Sequence, residues 1–404
     1  MYRTRTSSTR ETGAIAVTFA LFLLMMLGFM GLALDFGHVF VIKTELQTSM
    51  DACALSAAQE LNGQPDALTR ATNAGIAAGN ANAVDLQSVN WKGKAKITAA
   101  DISFRDLAHN AGATAATARY VRCTHTQQGT STPLVRMLPG LTATAATMDV
   151  GAFAEATTTP AQSTCPLPLW VKPKGSGTKP NYGYVKGEWI TLLGNKSDTG
   201  QIGWANLDGT KNANETEKEM SGYCGTKVNS QLGTPGDQQS IAATWNTRFG
   251  IYSDKADLSI KPPDFTGYVY TTTSWSQGKN AYPDFVNQRQ VFASCAASAS
   301  VCETKNGLKK NSLGNDNNTY MATPGSGGDL QRYGTNRRLA VVSVVDASYK
   351  VIDFVCMLML QPISTPMVDV QLEFLGSASD VGSPCTASGL PGGAAGPLVP
   401  VLVR

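Results

Sequence analysis

An uncharged apolar stretch near the N-terminus places the strongest constraint on what this chain can fold into. Residues 13–34 read GAIAVTFALFLLMMLGFMGLAL and contain no charged side chain. A helix needs about 20 such residues to cross the hydrocarbon core of a bilayer. A secretory signal peptide has a shorter apolar region and a small-residue cleavage site, whereas apolar residues resume here directly after Asp35. The sequence therefore predicts a retained, single-pass membrane helix.

The charges of the chain indicate its orientation and exclude one class of partner. Arg3, Arg5 and Arg10 stand against Glu11, so the positive-inside rule predicts that residues 1–12 form a cytoplasmic tail. Everything after about residue 35 is then exported. The chain has 33 Lys+Arg against 30 Asp+Glu. We expect no nucleic-acid partner, because an electrostatic nucleic-acid binder needs a strong basic excess.

The helix is predicted to continue beyond the membrane. Apolar residues recur at spacings of three and four after Asp35, until Asn62, Gly63 and Pro65 supply a C-terminal stop. These apolar residues are Ile42, Leu46, Met50, Cys53, Ala57 and Leu61. A helix over about 14–61 would be about 70 Å long. Two interpretations of the apolar stripe stay open: it packs on the protein's own globular body, or it forms a seam for neighbouring subunits.

The N-terminal segment resembles a known family. The residues that carry the resemblance are Gly13–Leu21, Gly28–Gly37, Leu46–Gln47 and Asp51–Leu61. They resemble the membrane anchor of the TadE/TadG-like proteins of the tight-adherence (Flp) pilus machinery. The resemblance implies a minor-pilin-like component of pilus assembly in the bacterial inner membrane, with other pilus-assembly or pilin-like subunits as partners and no enzymatic role. Cys53 departs from the family pattern, which usually has alanine there.

Asp35 is the candidate functional residue of this anchor. At the membrane boundary a carboxylate can be solvated by water and headgroups, and it would then only mark the exit of the helix. Alternatively, it is buried between packed helices, where glycines permit close backbone approach and a partner chain supplies a positive group. The candidate helix-packing residues are Gly28, Gly31, Asp35, Gly37, Leu46 and Met50.

Beyond the anchor helix, 13–63, the sequence predicts two exported regions and an α+β fold class. Residues 64–160 are predicted to form a small, pilin-like α+β region. Its helix is expected at 66–78 and its strands at 96–98, 102–104, 117–123 and 148–153. Residues 161–404 are predicted to form a larger, mainly-β domain, a sandwich or barrel, because no convincing amphipathic helices alternate with its strands. These strands are expected at 189–193, 202–207, 268–271, 339–345, 351–355 and 368–374.

All eight cysteines follow the apolar stretch, and an oxidising compartment would permit disulfides between them. One pair is suggested by the sequence, because Cys295 and Cys302 enclose the small, flexible residues AASASV. If Cys53 packs as a small hydrophobic residue on the helix, one other cysteine stays unpaired. The absence of CxxC excludes zinc-ribbon and thioredoxin-like sites.

Motifs for catalysis or metal binding are weak, and we expect no enzyme, no metal and no cofactor. The sequence lacks GxSxG, HExxH and GxxxxGK[ST]. Cys123 and His125 supply only two metal ligands. The stretch 341–348 superficially resembles the metal loop of von Willebrand A domains, but position 350 is Lys and too little chain follows. The remaining carboxylates lack the EF-hand spacing for calcium: Asp254, Asp257, Asp264 and Asp316.

Two functions compete at this point. The first is a single-pass, membrane-anchored structural component of pilus assembly. The alternative is a tethered surface adhesin whose β-rich region binds glycans or protein, with Tyr268, Tyr270 and Trp275 as candidate contact residues. Deletion of residues 161–404 would discriminate between them: loss of pili favours assembly, and loss of attachment alone favours the adhesin.

Overall fold

The computed structural model divides the chain into two compact units. It describes residues 12–82, 96–132, 134, 147–192, 201–235, 241–253, 255–295, 320–363 and 369–403. The first unit extends to Thr157 and includes Pro400–Arg404, and the second unit is Thr158–Val399. The chain therefore passes between the units twice.

Two helices begin the first unit, and small residues bring them together. Helix α1 spans Thr12–Gln59 and α2 spans Ala67–Ala81. The buried residues of α2 recur every four positions and are all small: Ala67, Ala71, Gly75 and Gly79. A Cβ atom at Gly75 would lie 3.2 Å from Cys53 Sγ, and one at Gly79 would lie 3.2 Å from Cys53 Cβ. The close approach of α2 to α1 therefore requires glycine at both positions.

A four-stranded sheet completes the first unit. Its strands are β1 (Ile102–Arg105), β2 (Tyr120–Ser131), β3 (Thr147–Pro160) and the C-terminal β12 (Leu398–Leu402), in the order β1-β2-β3-β12. The first three strands are antiparallel, with Cys123 opposite both Ile102 and Ala154. Alternate residues of β2 and β3 share a hydrophobic core with the apolar stripe of α1.

The edge strand β12 is antiparallel to β3. Val403 N–H donates to Glu155 O at 2.8 Å, and Ala161 N–H donates to Pro397 O at 3.0 Å. Odd-numbered residues of β12 thus direct their backbone groups toward β3, and Pro400 faces the open edge. Because proline has no N–H, it weakens this edge as a template for another strand.

The second unit is built on a six-stranded sheet with the order β5-β11-β10-β9-β4-β6. These strands are β4 (Leu169–Val171), β5 (Trp189–Leu192), β6 (Ile202–Trp204), β9 (Leu339–Val345), β10 (Val351–Met359) and β11 (Val370–Ser377). The pair β4 and β9 is parallel, and the other neighbouring pairs are antiparallel. A two-stranded ribbon is formed by β7 (Ile251–Tyr252) and β8 (Tyr320–Met321).

In the described residues of this unit, helices accompany the sheet: α3 (Ala213–Met220), α4 (Ile241–Thr247), α5 (Tyr282–Ser294) and α6 (Asp329–Tyr333). The predicted α+β class and mainly-β larger region are confirmed. The expectation that no helices alternate with these strands is wrong, because α3 to α6 lie between strands of this unit in the chain. Helix α4 shows why the sequence did not predict these helices. Five of its seven residues are buried, so it lacks the exposed polar face that produces an amphipathic pattern.

Two predicted strands are absent from the described residues. At 96–98, Ile97 exchanges two hydrogen bonds of 2.9 Å with the side-chain amide of Asn80 instead of pairing with a strand. At 268–271, Tyr270 N–H makes a bond of 2.9 Å to Leu360 O, but Tyr268 N–H bonds to the Thr266 hydroxyl. In both segments a polar side chain bonds to a backbone group that a strand would need: Asn80 of α2 at Ile97, and the neighbouring Thr266 at Tyr268.

Candidate helix-packing site

Gly31 and Asp35 lie one turn apart on the same face of α1, and both are buried. Asp35 is only 5% exposed. A Cβ atom at Gly31 would lie 3.1 Å from the Cβ atom of Leu134, which follows β2 in the chain. A side chain at position 31 would therefore press against Leu134. The protein's own residues cover this face of the helix.

The three candidate glycines do not form one surface. Gly28 is half-buried, while Gly37 is exposed and a Cβ atom there would meet no other atom within 4 Å. At about 100° per residue, Gly31 and Gly37 point about 120° apart around the helix. Gly37 therefore lies on the open face of α1, away from the face that Leu134 covers.

Leu46 and Met50 lie in the protein's own core. Both side chains are fully buried, together with Ile42, and they share a cluster with Val121 of β2 and Val150 of β3. The apolar stripe of α1 thus packs on the globular body of the same chain. This is the first of the two interpretations that the sequence left open.

Polar contacts attach α1 to its neighbours on two sides. Ser49 Oγ donates to Gly79 O of α2 at 2.7 Å. Gln47 Nε2 donates to Phe153 O of β3 at 2.9 Å, and Lys43 Nζ donates to Gly151 O. The C-terminal half of α1 is therefore an integral part of the first unit.

A disulfide between Cys53 and Cys123 joins α1 to β2. This excludes the alternative in which Cys53 packs as a small hydrophobic residue and leaves another cysteine unpaired. Its place in the apolar stripe indicated that it faces the core, but only the tertiary structure brings Cys123 opposite it. Further disulfides join Cys165 to Cys224 and Cys356 to Cys385.

The predicted disulfide between Cys295 and Cys302 stays a prediction. Cys295 is disulfide-bonded. Cys302 lies outside the described residues.

The aromatic cluster proposed for the adhesin alternative belongs largely to the core. Tyr270 is fully buried and its hydroxyl donates to Asp284 at 2.9 Å. Its ring lies 4.8 Å from that of Tyr268 and 5.8 Å from that of Trp275, and burial raises the pKa of its phenol. Tyr270 is therefore not available to stack against a sugar.

The carboxylates considered for metal binding have other roles. Asp264 is fully buried and accepts hydrogen bonds of 2.9 Å from the backbone N–H groups of Arg337 and Arg338. Asp346 accepts bonds from the N–H groups of Ser348 and Lys350 at the turn between β9 and β10. Asp254 and Asp316 lie outside the described residues.

The histidine pattern also gives no metal centre. His125 Nδ1 lies 2.9 Å from Asp101 Oδ1, and its neighbour Cys123 is in a disulfide. Within the part of the chain that the structure describes, no group of three or more His, Cys, Asp or Glu side chains could hold a metal ion.

A cavity of about 230 Å³ in the second unit is lined by Glu219, Arg248 and Arg337. The Glu219 carboxylate accepts bonds from the N–H groups of Leu207 and Asp208 at 2.7 and 3.0 Å. Burial raises its pKa, and the charges of Asp208 and Glu215 act in the same direction. Arg248 donates to two backbone carbonyls, those of Arg337 and Met220. These contacts give both side chains a structural role.

Comparison with known proteins identifies the anchor. Residues 13–60 match the family model described as Flp pilus-assembly TadE/G-like. The N-terminal segment is TadE/G-like. The match coincides with α1, and among the described residues one helix, Ile15–Gln59, is long and apolar enough to cross a membrane. Comparison with curated proteins and with solved structures gives no match.

The TadE/G-like segment and its apolar helix fit a membrane protein associated with the Tad pilus. The resemblance drawn from the sequence is thereby confirmed for this segment.

Proposed function

We propose that the protein is a single-pass, membrane-anchored structural component of bacterial tight-adherence (Flp-type) pilus assembly, minor-pilin-like and without enzymatic activity. One observation carries the proposal: the TadE/G-like segment is a single helix with two different halves. The half before Asp35 exposes its apolar side chains, whereas the half after it buries its apolar stripe in the first unit. Such a helix can hold a globular body at a fixed height above the membrane.

The proposed location is the bacterial inner membrane, with residues 1–12 in the cytoplasm and the bulk of the chain in the periplasm or at the cell surface. The disulfides of Cys53, Cys165 and Cys356 support this orientation, since all their partners also follow the apolar span. Disulfides persist in oxidising compartments and are rare in the cytosol. The arginines before the span favour the same orientation.

The proposed partners are other pilus-assembly or pilin-like subunits, which would contact the open face of α1. Just beyond the span, this face presents Phe36, Gly37 and Phe40, and the Phe40 side chain is 69% exposed. Gly37 permits close approach of another backbone there. Leu46 and Met50 are unavailable for such a contact because they are fully buried.

The adhesin alternative has less support. Its aromatic contact residues include the fully buried Tyr270, whose hydroxyl is already bonded to Asp284. We therefore retain pilus assembly as the single proposed function.

Two chimaeric proteins would test the proposal in a strain that lacks the native chain. In the first, residues 13–34 are replaced by an unrelated apolar span of equal length. In the second, residues 162–396 are replaced by a short glycine-containing turn. This turn can close the chain because Ala161 N–H and Pro397 O are hydrogen-bonded at 3.0 Å. The second design also keeps β12 in the first unit, which a simple deletion of 161–404 would remove.

Pili are then counted by electron microscopy, with immunoblots of membranes as the control for chain level. An assembly role predicts that the span replacement abolishes pili even when the chain reaches the membrane at wild-type level. Normal piliation by both chimaeras would contradict the proposal. Normal piliation combined with lost attachment in the second chimaera would favour the adhesin.

A further inference from the structure

We infer that the cavity of about 230 Å³ beside Arg248 and Arg337 is a binding site for a small carboxylate with a short apolar body. The cavity belongs to the second unit alone, whereas the anchor helix belongs to the first. The inference is therefore independent of the proposed role in pilus assembly and assigns a ligand to the exported domain.

Arginines outnumber acids beside this cavity. The negative charge of Asp264 acts on four of them: Arg248, Arg289, Arg337 and Arg338. Its carboxylate is fully buried and forms an ion pair of 3.3 Å with Arg289. In the part of the chain that the structure describes, Arg248 and Arg337 instead donate to backbone carbonyls. A surplus of positive charge therefore lies at the cavity.

This surplus is costly because the guanidinium groups are partly removed from water. Burial lowers the pKa of Arg248, and the charge of Arg337 acts in the same direction. Burial also lowers the pKa of Arg337. Arg248 Nε is buried and has no hydrogen-bond partner among the described residues. An anion in the cavity would stabilise both charged guanidinium groups, because opposite charges attract more strongly away from water.

The rest of the lining fits a small, partly apolar ligand. Leu167, Met220 and Val341 contribute buried apolar side chains to the cavity. Ser221 and Thr386 are exposed lining residues and place neutral polar groups at its open side. An apolar interior with a few convergent polar groups is the usual construction of a small-molecule site. Sites for drug-sized ligands measure about 300–1,000 Å³, so this cavity suits a smaller molecule.

A carboxylate fits the cavity better than a phosphate does. The planar guanidinium of arginine pairs with a planar carboxylate through parallel hydrogen bonds. The Glu219 carboxyl also lines the cavity, and it would repel a doubly charged anion more strongly than a singly charged one. Its oxygens already accept bonds from the N–H groups of Leu207 and Asp208, so the protein itself holds it in place. The apolar lining then accommodates the hydrocarbon body of the ligand.

Equilibrium dialysis of the full-length protein in detergent micelles tests the inference, with radiolabelled N-acetylalanine as the probe. The competitors are unlabelled N-acetylalanine, its uncharged amide and inorganic phosphate. A fourth competitor is a short peptide that ends in alanine with a free carboxylate. It distinguishes the two sources of such a group, which are a free small molecule and the end of a polypeptide chain.

The probe should bind saturably and should be displaced by unlabelled N-acetylalanine but not by the amide. Equal displacement by the amide overturns the inference, because the charge would then play no part. Stronger displacement by phosphate than by N-acetylalanine also overturns it. Stronger displacement by the peptide supports the site with a chain end as its ligand, and equal or weaker displacement supports it with a free carboxylate.

Charge variants test the location of the site. Arg337→Gln removes one guanidinium and should weaken binding of the probe at least about tenfold, since charge-assisted hydrogen bonds contribute this much. The matched control is Arg332→Gln, which changes an exposed arginine outside the cavity lining and should bind like the wild type. The midpoint of urea unfolding reports whether each variant has folded.

A second pair of variants tests the site if Arg337→Gln does not fold. Ser221→Glu places a negative charge at the open side of the cavity, whereas Ser221→Gln has the same shape without the charge. Binding of the probe should be several-fold weaker in Ser221→Glu than in Ser221→Gln, because the added charge repels the ligand. Wild-type affinity in folded Arg337→Gln, or equal affinity in both variants of Ser221, overturns the inference.

Discussion

Cys53 of α1 and Cys123 of β2 form a disulfide that closes a loop of 70 residues. The loop encloses α2 and β1, so the covalent link ties together every element of the first unit that precedes β3. Both cysteines are fully buried. The membrane-anchoring helix and the globular body are therefore one covalently closed structure.

Removal of this disulfide should destabilise the first unit. When Cys53 and Cys123 are both replaced by alanine, the unfolded chain is no longer constrained by the closed loop and gains entropy. The free energy of unfolding should therefore fall by about 2–4 kcal/mol. Hydrogen exchange by mass spectrometry of the full chain in micelles should show faster exchange in α2 and β2. The matched control, with alanine at Cys165 and Cys224, should leave these peptides unchanged. Equal protection in both double variants would contradict the prediction.

Valine at Gly79 should separate α2 from α1. Its Cβ atom would overlap Ile97 Cδ1 and lie 3.2 Å from Cys53 Cβ and 3.3 Å from Ser49 O. The Ile97 tip can move, but the α1 atoms cannot, and overpacking of this kind costs about 1–3 kcal/mol. The midpoint of urea unfolding should fall for Gly79→Val. Ala77→Val, on the exposed face of the same helix, should unfold close to the wild-type midpoint.

Leucine at Gly37 should block pilus assembly without affecting the fold. A Cβ atom at this position would meet no atom beyond the helix's own backbone within 4 Å, so we expect the effect to come from molecules that approach the open face of α1. We expect few or no pili and an unchanged unfolding midpoint. Gly31→Leu provides the contrast, because it would displace Leu134 of the same chain. Wild-type piliation by Gly37→Leu would show that no partner packs closely at this position.

Leucine at Asp35 should abolish pili while membrane insertion and folding persist. The change lengthens the apolar span, which by itself favours insertion. The loss would arise because assembly would have to uncover the acid and pair it with a positive group of a neighbouring subunit, which the variant leaves unpaired in a low-dielectric site. Pili are counted alongside carbonate extraction of membranes, which reports insertion. If the variant makes normal pili, Asp35 has no part in assembly.

The stability of the second unit should depend on the protonation of Glu219. Burial raises the pKa of this carboxyl above its usual value of 4.5. The folded unit thus binds the proton more tightly than the unfolded chain, and this contribution is lost as the pH rises through the folded pKa. As the pH rises, the free energy of unfolding of the wild type should fall relative to that of Glu219→Gln. The fall should be about 1.4 kcal/mol for each tenfold difference in proton affinity between the folded and unfolded states. Unfolding at several pH values between about 4 and 7 measures this difference. A difference that does not vary with pH would exclude the effect.

Periodic patterns in the sequence predicted the parts of the fold that local chemistry determines. The expected helix at 14–61 corresponds to α1 at Thr12–Gln59, and 339–345 is strand β9 with the same bounds. The helix is long and has a helical apolar period, whereas the strand is a short apolar run of β-branched valines. The stripe from Ile42 to Leu61 likewise identified the buried face of α1.

Features that depend on partners distant in sequence could not be predicted in this way. Strand β4 has only three residues and is defined by pairing with β6 and β9. The pairing of Cys53 with Cys123 and the cover of Gly31 by Leu134 bring together residues 70 and 103 positions apart. No local pattern records such contacts, because their stabilisation exists only in the folded unit.

Because β3 pairs with β12, the sheet of the first unit can be completed only after β12 has been synthesised. The ribosome makes β3, which ends at Pro160, long before β12, which begins at Leu398. At a synthesis rate of about 5–20 residues per second, the backbone groups of β3 that bond to β12 stay unpaired for on the order of ten to fifty seconds. A nascent chain that stalls within the second unit would carry an unfinished sheet beside its membrane helix. The sheet of the first unit is thus completed only after the whole second unit has been synthesised.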